Sequence, residues 1–257
     1  MALLDVNGLV KRFGGLTAVE DLKFDIQDGE LLSIIGPNGA GKTTLFNLLT
    51  GFYKPDAGKI IFNGSDITYC KPHQIVRRGM GRTFQKTHIF EKNNVLDNVL
   101  IGVSLHARVG ILGSVIGIPS AEREKTRALR KAREIVSFVG LDEELDSVAG
   151  NLTEQEKKRL SIASALATEP KLLLLDEPAA GVNLDEIGGL MDLICRIRKS
   201  GVAVCLIEHK MKLVMSISDR IIVLSNGKQI ADGPPEDIAN DENVIKAYLG
   251  GGRDAQG

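Results

Sequence analysis

Short continuous apolar runs alternate with stretches of helical period along this chain, and that alternation sets the expected architecture. Residues 31–35, 171–175 and 202–208 are apolar runs of strand length, as expected of parallel strands covered on both faces. After the first run, Leu45, Leu48 and Leu49 are spaced for the buried stripe of a helix. Residues 3–13 and 22–26 show the alternation of antiparallel strands around a Gly14-Gly15 turn, and 59–62 reads as a further strand ending at Asn63-Gly64. Residues 72–78 read as a short helix, and 81–85 as a short strand ending in Gln85. Residues 94–105 and 121–139 are helical by period. The second of these carries Leu129, Ala132, Ile135, Val136 and Val139 on one side. Strand character then fades until Leu172, so the middle third is expected to be a helical insertion. A helix over 183–199 follows. A hairpin over 219–233 turns at Asn226-Gly227, which suits a type I′ turn, and two short helices over 234–249 precede an end expected to fray.

Strands alternating with helices predict an α/β fold with a parallel sheet. The expected arrangement is one domain over residues 1–257. Within it, 1–85 and 168–233 form the α/β core with its antiparallel sheet, 86–167 a helical subdomain, and 234–257 a C-terminal helical tail. A hydrophobic fraction of 43% supports a sizeable core. The formal net charge of -1 excludes a global basic field, and no nucleic-acid partner is expected. Three scattered cysteines, Cys70, Cys195 and Cys205, suit a reducing compartment better than a disulfide framework or a metal cluster. The first residues lack the cationic and long apolar segments of a signal peptide. No run reaches the roughly 18 apolar residues of a membrane span, so any membrane role is expected to run through a partner.

The chemistry is concentrated between the first buried run and its helix. Gly36-Pro-Asn-Gly-Ala-Gly-Lys-Thr43 matches the phosphate-binding pattern G-x-x-x-x-G-K-[ST]. Its glycines let successive N–H groups point at phosphate oxygens, and the helix beginning near Lys42 adds its positive end. Lys42 is expected to reach the β- and γ-phosphates, and the Thr43 hydroxyl to hold Mg²⁺. Ligands of a doubly wound sheet collect at the carboxyl ends of its strands. Asp176 follows four leucines there as a candidate Mg²⁺ carboxylate, Glu177 as a candidate base, and His209 as a γ-phosphate partner. Phe13, before the Gly14-Gly15 turn, is either a core aromatic or a flat face for a nucleobase.

This ordered set resembles the ATP-binding subunits of ABC transporters along essentially the whole chain. The resemblance implies an ABC ATPase fold, ATP with Mg²⁺, and hydrolysis coupled to transport. It assigns Phe13 to adenine stacking, with Val19 beside the nucleotide. Gly36, Asn38, Gly39, Ala40, Gly41, Lys42, Thr43 and Thr44 become the Walker A loop. Gln85 becomes the Q-loop glutamine, touching Mg²⁺ and the attacking water, and Asp176 and Glu177 become the Walker B carboxylate and catalytic base. Residues 180–183 fall where the D-loop belongs, and His209 becomes the switch histidine. Arg82-Thr-Phe-Gln85, Asp176-Glu-Pro-Ala-Ala-Gly181 and Ile207-Glu-His-Lys-Met211 are similar to the branched-chain (hydrophobic) amino acid uptake class; urea and lipopolysaccharide systems have similar ATPases. The implied partners are integral membrane permease subunits and a second ATPase subunit, with a solute-binding protein acting indirectly. The implied location is peripheral, on the cytoplasmic face of the membrane. A groove around 85–98, extended by 110–119, is the expected seat for a permease helix, with Ile89, Phe90 and Ile111 at the contact.

One stretch departs from the family. The signature, usually LSGGQ, reads Leu152-Thr153-Glu154-Gln155-Glu156. Thr153 can replace the serine hydroxyl, but Glu154 and Glu156 bring carboxylates to a helix end that, in the family, meets the γ-phosphate held by the facing subunit. Thr153-x-x-Glu156 is also a capping box. The departure keeps a second reading open, that of an ATP-binding regulatory or scaffold subunit with little hydrolysis. A stand-alone P-loop kinase or GTPase fits less well, because no guanine-specific motif accompanies the loop.

Overall fold

A computed structural model describes residues 2–84, 89–106 and 119–250. In chain order the elements are β1 (Leu4–Phe13), β2 (Leu16–Ile26), β3 (Leu31–Ile35), α1 (Lys42–Leu49), β4 (Ala57–Phe62), β5 (Ser65–Asp66), α2 (Pro72–Arg77), β6 (Met80–Arg82) and α3 (Val95–Val103). There follow α4 (Pro119–Phe138), α5 (Glu154–Leu166), β7 (Leu172–Asp176), α6 (Leu184–Lys199), β8 (Ala203–Ile207), α7 (Met211–Ile217), β9 (Arg220–Ser225), β10 (Lys228–Gly233), α8 (Pro235–Asn240) and α9 (Glu242–Gly250). No helix among the described residues is long and apolar enough to cross a membrane.

The strands form two sheets, ordered β10-β9-β3-β8-β7-β6 and β2-β1-β4-β5. In the first, β3 pairs in parallel with both β8 and β9, β7 with β6 and β8, and only β10 runs antiparallel, on β9. Every residue of β3, β7 and β8 is buried, which is why these strands read as unbroken apolar runs. Alternate residues serve opposite faces. Leu172 and Leu174 pack with α1 and the antiparallel sheet, whereas Leu173 and Leu175 pack with α3, α4, α5 and α6. The apolar stripe of α4 behaves as its period predicts, with Ala132 and Val136 fully buried and Leu129 and Ile135 against the same cluster.

The short strand expected over 81–85 is β6 at Met80–Arg82, with Thr83 and Phe84 outside it, and the two-residue β5 was not expected. Two further elements differ for reasons the backbone shows. β2 begins at Leu16 rather than Leu22, because Asp21 takes a left-handed backbone (φ 48°) and the pairing with β1 shifts register between Leu9↔Leu22 and Lys11↔Val19. That irregularity interrupts the alternation by which a strand is recognised. The second is α7, which the sequence reading passed over. It is seven residues long and has no side-chain cap at Lys210, so only its packing of Leu213, Val214 and Ile217 identifies it.

Candidate functional site

The phosphate loop starts where β3 ends. Gly36 (φ 148°) and Gly41 (φ 101°) both need positive φ, and each is also pressed against backbone. A Cβ on Gly36 would lie 2.0 Å from the Leu224 carbonyl oxygen, and one on Gly41 2.4 Å from that of Ala18. These two glycines therefore bind the loop to β9 and β2 as well as freeing its amides. Asn38, Gly39 and Thr43 are exposed, Thr44 is half-buried, and Ala40 is buried beneath the loop. The Lys42 ammonium donates to the carbonyls of Gly36 (2.6 Å) and Pro37 (3.0 Å), so it is held inside the loop's own curl. Burial lowers the Lys42 pKa, and the carboxylates of Glu177 and Asp176 oppose that shift. The loop and the end of β7 thus share one electrostatic environment.

Sheet order brings this about. β7 lies beside β8 and β8 beside β3, and the register sets Asp176 opposite Ile207. Asp176 and its neighbour Glu177 therefore emerge next to Glu208 and His209. The Asp176 carboxylate is buried, and its Oδ2 accepts from Arg82 Nη2 at 3.0 Å. Arg82 comes from β6, in register with Leu174, and its Nη1 also donates to Asn47 of α1 and to Thr50 just past that helix. Its guanidinium lies over the rings of Phe46 and Phe84. Burial raises the Asp176 pKa even though Arg82 pulls it down, and burial lowers that of Arg82. Sequence reasoning used Arg82 only as part of a motif. A charged residue on a strand that is covered on both faces was the signal that it has a partner inside.

Glu177 adopts a left-handed backbone (φ 48°), a conformation that costs about 1–3 kcal/mol in a non-glycine residue and persists only where its surroundings enforce it. Its N–H donates to the Ile207 carbonyl (2.9 Å). The Nδ1 of the half-exposed His209 lies 4.0 Å from Glu177 Oε1. Lys42, Asp176, Glu177 and His209 thus gather on one rim, while Gln85 lies outside the described residues.

On the antiparallel side, Phe13 is 42% exposed and packs edge-on against Tyr53 at 5.3 Å, with the Lys11 ammonium 5.4 Å from its ring centre. An exposed ring buttressed by a second aromatic is free to stack. Phe13→Ala is therefore expected to weaken nucleotide binding by roughly 1–3 kcal/mol in a fluorescence titration, with little discrimination between ATP and GTP. Unchanged affinity would return Phe13 to a packing role. Val19 is fully buried, in the core cluster that also holds Ala40 of the loop.

Residues 153–156 begin α5. The Thr153 N–H and hydroxyl donate to Glu156 Oε2 (2.7 and 2.8 Å), and the Glu156 N–H returns to Thr153 Oγ1 (3.3 Å). The helix end is therefore closed by its own carboxylate, as a capping box. Glu154 is exposed and pairs with Lys157 at 3.4 Å, and Gln155 is half-buried.

The ABC transporter family profile matches residues 19–180, and one described as "Branched-chain amino acid ATP-binding cassette transporter" matches residues 228–254. The chain is 44% identical over 249 residues to the high-affinity branched-chain amino acid transport ATP-binding protein LivG of Escherichia coli K12, covering 96% of this chain and 98% of that one. BraF of Pseudomonas aeruginosa, with the same description, is 43% identical with the same coverage. The E. coli lipopolysaccharide export system ATP-binding protein LptB is 34% identical over 250 residues, covering 97% of this chain and 98% of that one. Among solved structures, the ADP conformation of MJ1267, an ATP-binding cassette of an ABC transporter, superposes with a TM-score of 0.84 at 32% identity, covering 97% of this chain and 99% of that one.

Proposed function

The chain belongs to the ABC transporter ATP-binding family, and from that premise we propose that it powers the import of branched-chain or other hydrophobic amino acids. It is the ATP-binding, ATP-hydrolysing subunit, working with membrane permease subunits. The observation that carries the mechanism is the adjacency of β3, β8 and β7, which sets the phosphate loop, His209 and the pair Asp176-Glu177 on one rim. ATP lies with its base on Phe13 and its phosphates on the loop amides. Lys42 exchanges the carbonyls of Gly36 and Pro37 for the β- and γ-phosphates. Glu177 takes a proton from a water as that water bonds to the γ-phosphorus and the bond to the bridging oxygen breaks. ADP leaves with the electron pair, and Lys42 and His209 stabilise the charge developing on the phosphoryl oxygens.

Mg²⁺ fits the donors at hand. The Thr43 side chain is exposed at the start of α1, and the buried Asp176 carboxylate has only its Oδ2 hydrogen-bonded by Arg82 among the described residues. When bound there, Mg²⁺ would neutralise negative charge on the phosphates. Thr43 and Asp176 would hold it, with Gln85 as a third candidate.

Identity to LivG and BraF, together with the match at 228–254, favours amino acids over lipopolysaccharide as the system served. The permease contact proposed here is the groove near the start of α3, where Phe90 is 58% exposed. Ile89 packs into the helical core instead, and Ile111 and residues 110–118 lie outside the described residues. The chain works at the cytoplasmic face of the membrane in this reading, and because α5 is closed by Glu156 it pairs with a second, different ATPase subunit. Reconstitution with candidate permeases and a solute-binding protein tests the proposal, and ATP-dependent uptake of radiolabelled leucine is expected. ATP hydrolysis without uptake of any branched-chain amino acid would overturn the solute assignment.

A further inference from the structure

The carboxylate of Glu208 is completely buried, an unusual place for a charge and one the mechanism above does not use. One oxygen, Oε1, accepts the Ala179 N–H at 2.8 Å, and the other, Oε2, accepts the His209 N–H at 3.1 Å. Oε2 is also 3.9 Å from His209 Nδ1. Ala179 lies two residues beyond Glu177, and Ile207, which accepts the Glu177 N–H, immediately precedes Glu208. The left-handed turn at Glu177 is therefore fastened on both sides to one strand end, by the Ile207 carbonyl before it and the Glu208 carboxylate after it. Lys210 adds a third tie, donating from Nζ to the Ala179 carbonyl at 2.9 Å. Lys158 of α5 lies within the electrostatic reach of this cluster. Burial lowers its pKa, and Glu154, Glu208, Glu177 and Asp176 oppose that.

We propose that Glu208 is a positioning residue that clamps the backbone following Glu177 to the strand end carrying His209, so that base and histidine keep a fixed separation and move as one unit. The inference rests on the hydrolytic reading of Glu177. Both oxygens of one carboxylate hold N–H groups from the two segments that bring the reacting side chains. No apolar residue could hold both, and a neutral amide could hold only one, because its NH₂ would face a donor. A buried charge is kept where the geometry it enforces is worth its desolvation.

The test uses the full chain with Glu208→Gln and Glu208→Leu. Wild-type turnover that Glu177→Gln abolishes first establishes hydrolysis at this rim; its absence counts against the ATPase reading and leaves the clamp to be judged by amide exchange. The expected result is kcat lowered about 10- to 100-fold in Glu208→Leu, the usual cost of removing a residue that orients a reacting group, with Glu208→Gln intermediate and KM for MgATP unchanged. Hydrogen exchange read by mass spectrometry should accelerate over residues 177–183 and stay unchanged over 31–49. Wild-type kcat and exchange in Glu208→Leu would overturn the proposal. So would a parallel change in kcat, KM and exchange across both segments, which is what a merely structural residue produces.

Discussion

Glu177→Gln is expected to lower ATP turnover at least ~10²-fold while leaving MgATP binding intact, the scale on which a general base is lost. The amide is nearly the same size and can keep the left-handed backbone, whose supports are the Ile207 carbonyl and the Ala179 N–H held by Glu208. What it cannot do is accept a proton. The phosphate loop, Lys42 and Asp176 remain, so ATP should still bind. Removing one of two acidic neighbours of Lys42 leaves Asp176 to support its charge. The measurement is single-turnover hydrolysis beside a nucleotide titration. Turnover that survives in the Gln variant would remove Glu177 from the role of base and bring forward the reading of a chain that binds ATP and hardly cleaves it.

The parts legible in the sequence were those with strong local periodicity or fixed spacing. β3, β7 and β8 announced themselves as apolar runs because both faces are covered. The loop from Gly36 to Thr43 was readable because its chemistry demands particular residues at particular spacings. What escaped notice depends on register. Arg82 reaches Asp176 only because β6 is the edge strand beside β7, and Glu208 reaches Ala179 only because Asp176 sits opposite Ile207. No local pattern encodes strand order. The burial of Val19 also depends on the strand, because the pleat of β2 turns its side chain inward. Tyr53, the edge partner of Phe13, follows α1 in the sequence, and the fold brings it beside the end of β1. The capping box at Thr153, by contrast, was readable as a four-residue pattern and appears with both of its hydrogen bonds.

That capping box leads to the second large effect. The isolated Glu177→Gln chain is expected to dimerise poorly with ATP, and restoring the signature with Glu154→Gly, Gln155→Gly and Glu156→Gln should strengthen dimerisation markedly. A helix N-terminus attracts an anion through its unpaired N–H groups and its dipole. Here the Glu156 carboxylate already sits on that end, and Glu154 stands in the first turn beside it. A γ-phosphate presented by a facing subunit would meet two carboxylates, each costing about 1–4 kcal/mol if it lies within ~4 Å in partly screened surroundings. Glutamine at 156 keeps the capping box while removing its charge. The two glycines lower helix stability by about 1 kcal/mol each, so the restored chain should melt earlier even as it dimerises better. These opposite signs separate a change at the phosphate contact from a general gain in stability. Raising the ionic strength should also help the unmodified chain, because it screens the repulsion. Light scattering with and without ATP is the measurement. Should the signature-restored chain alone dimerise, the working transporter is expected to be asymmetric: this chain's phosphate loop faces a companion's intact signature and hydrolyses, while the companion's ATP faces Glu154 and Glu156 and turns over slowly. A tight ATP dimer of the Glu177→Gln chain without those changes would make the self-capped helix a competent signature and remove the need for a companion.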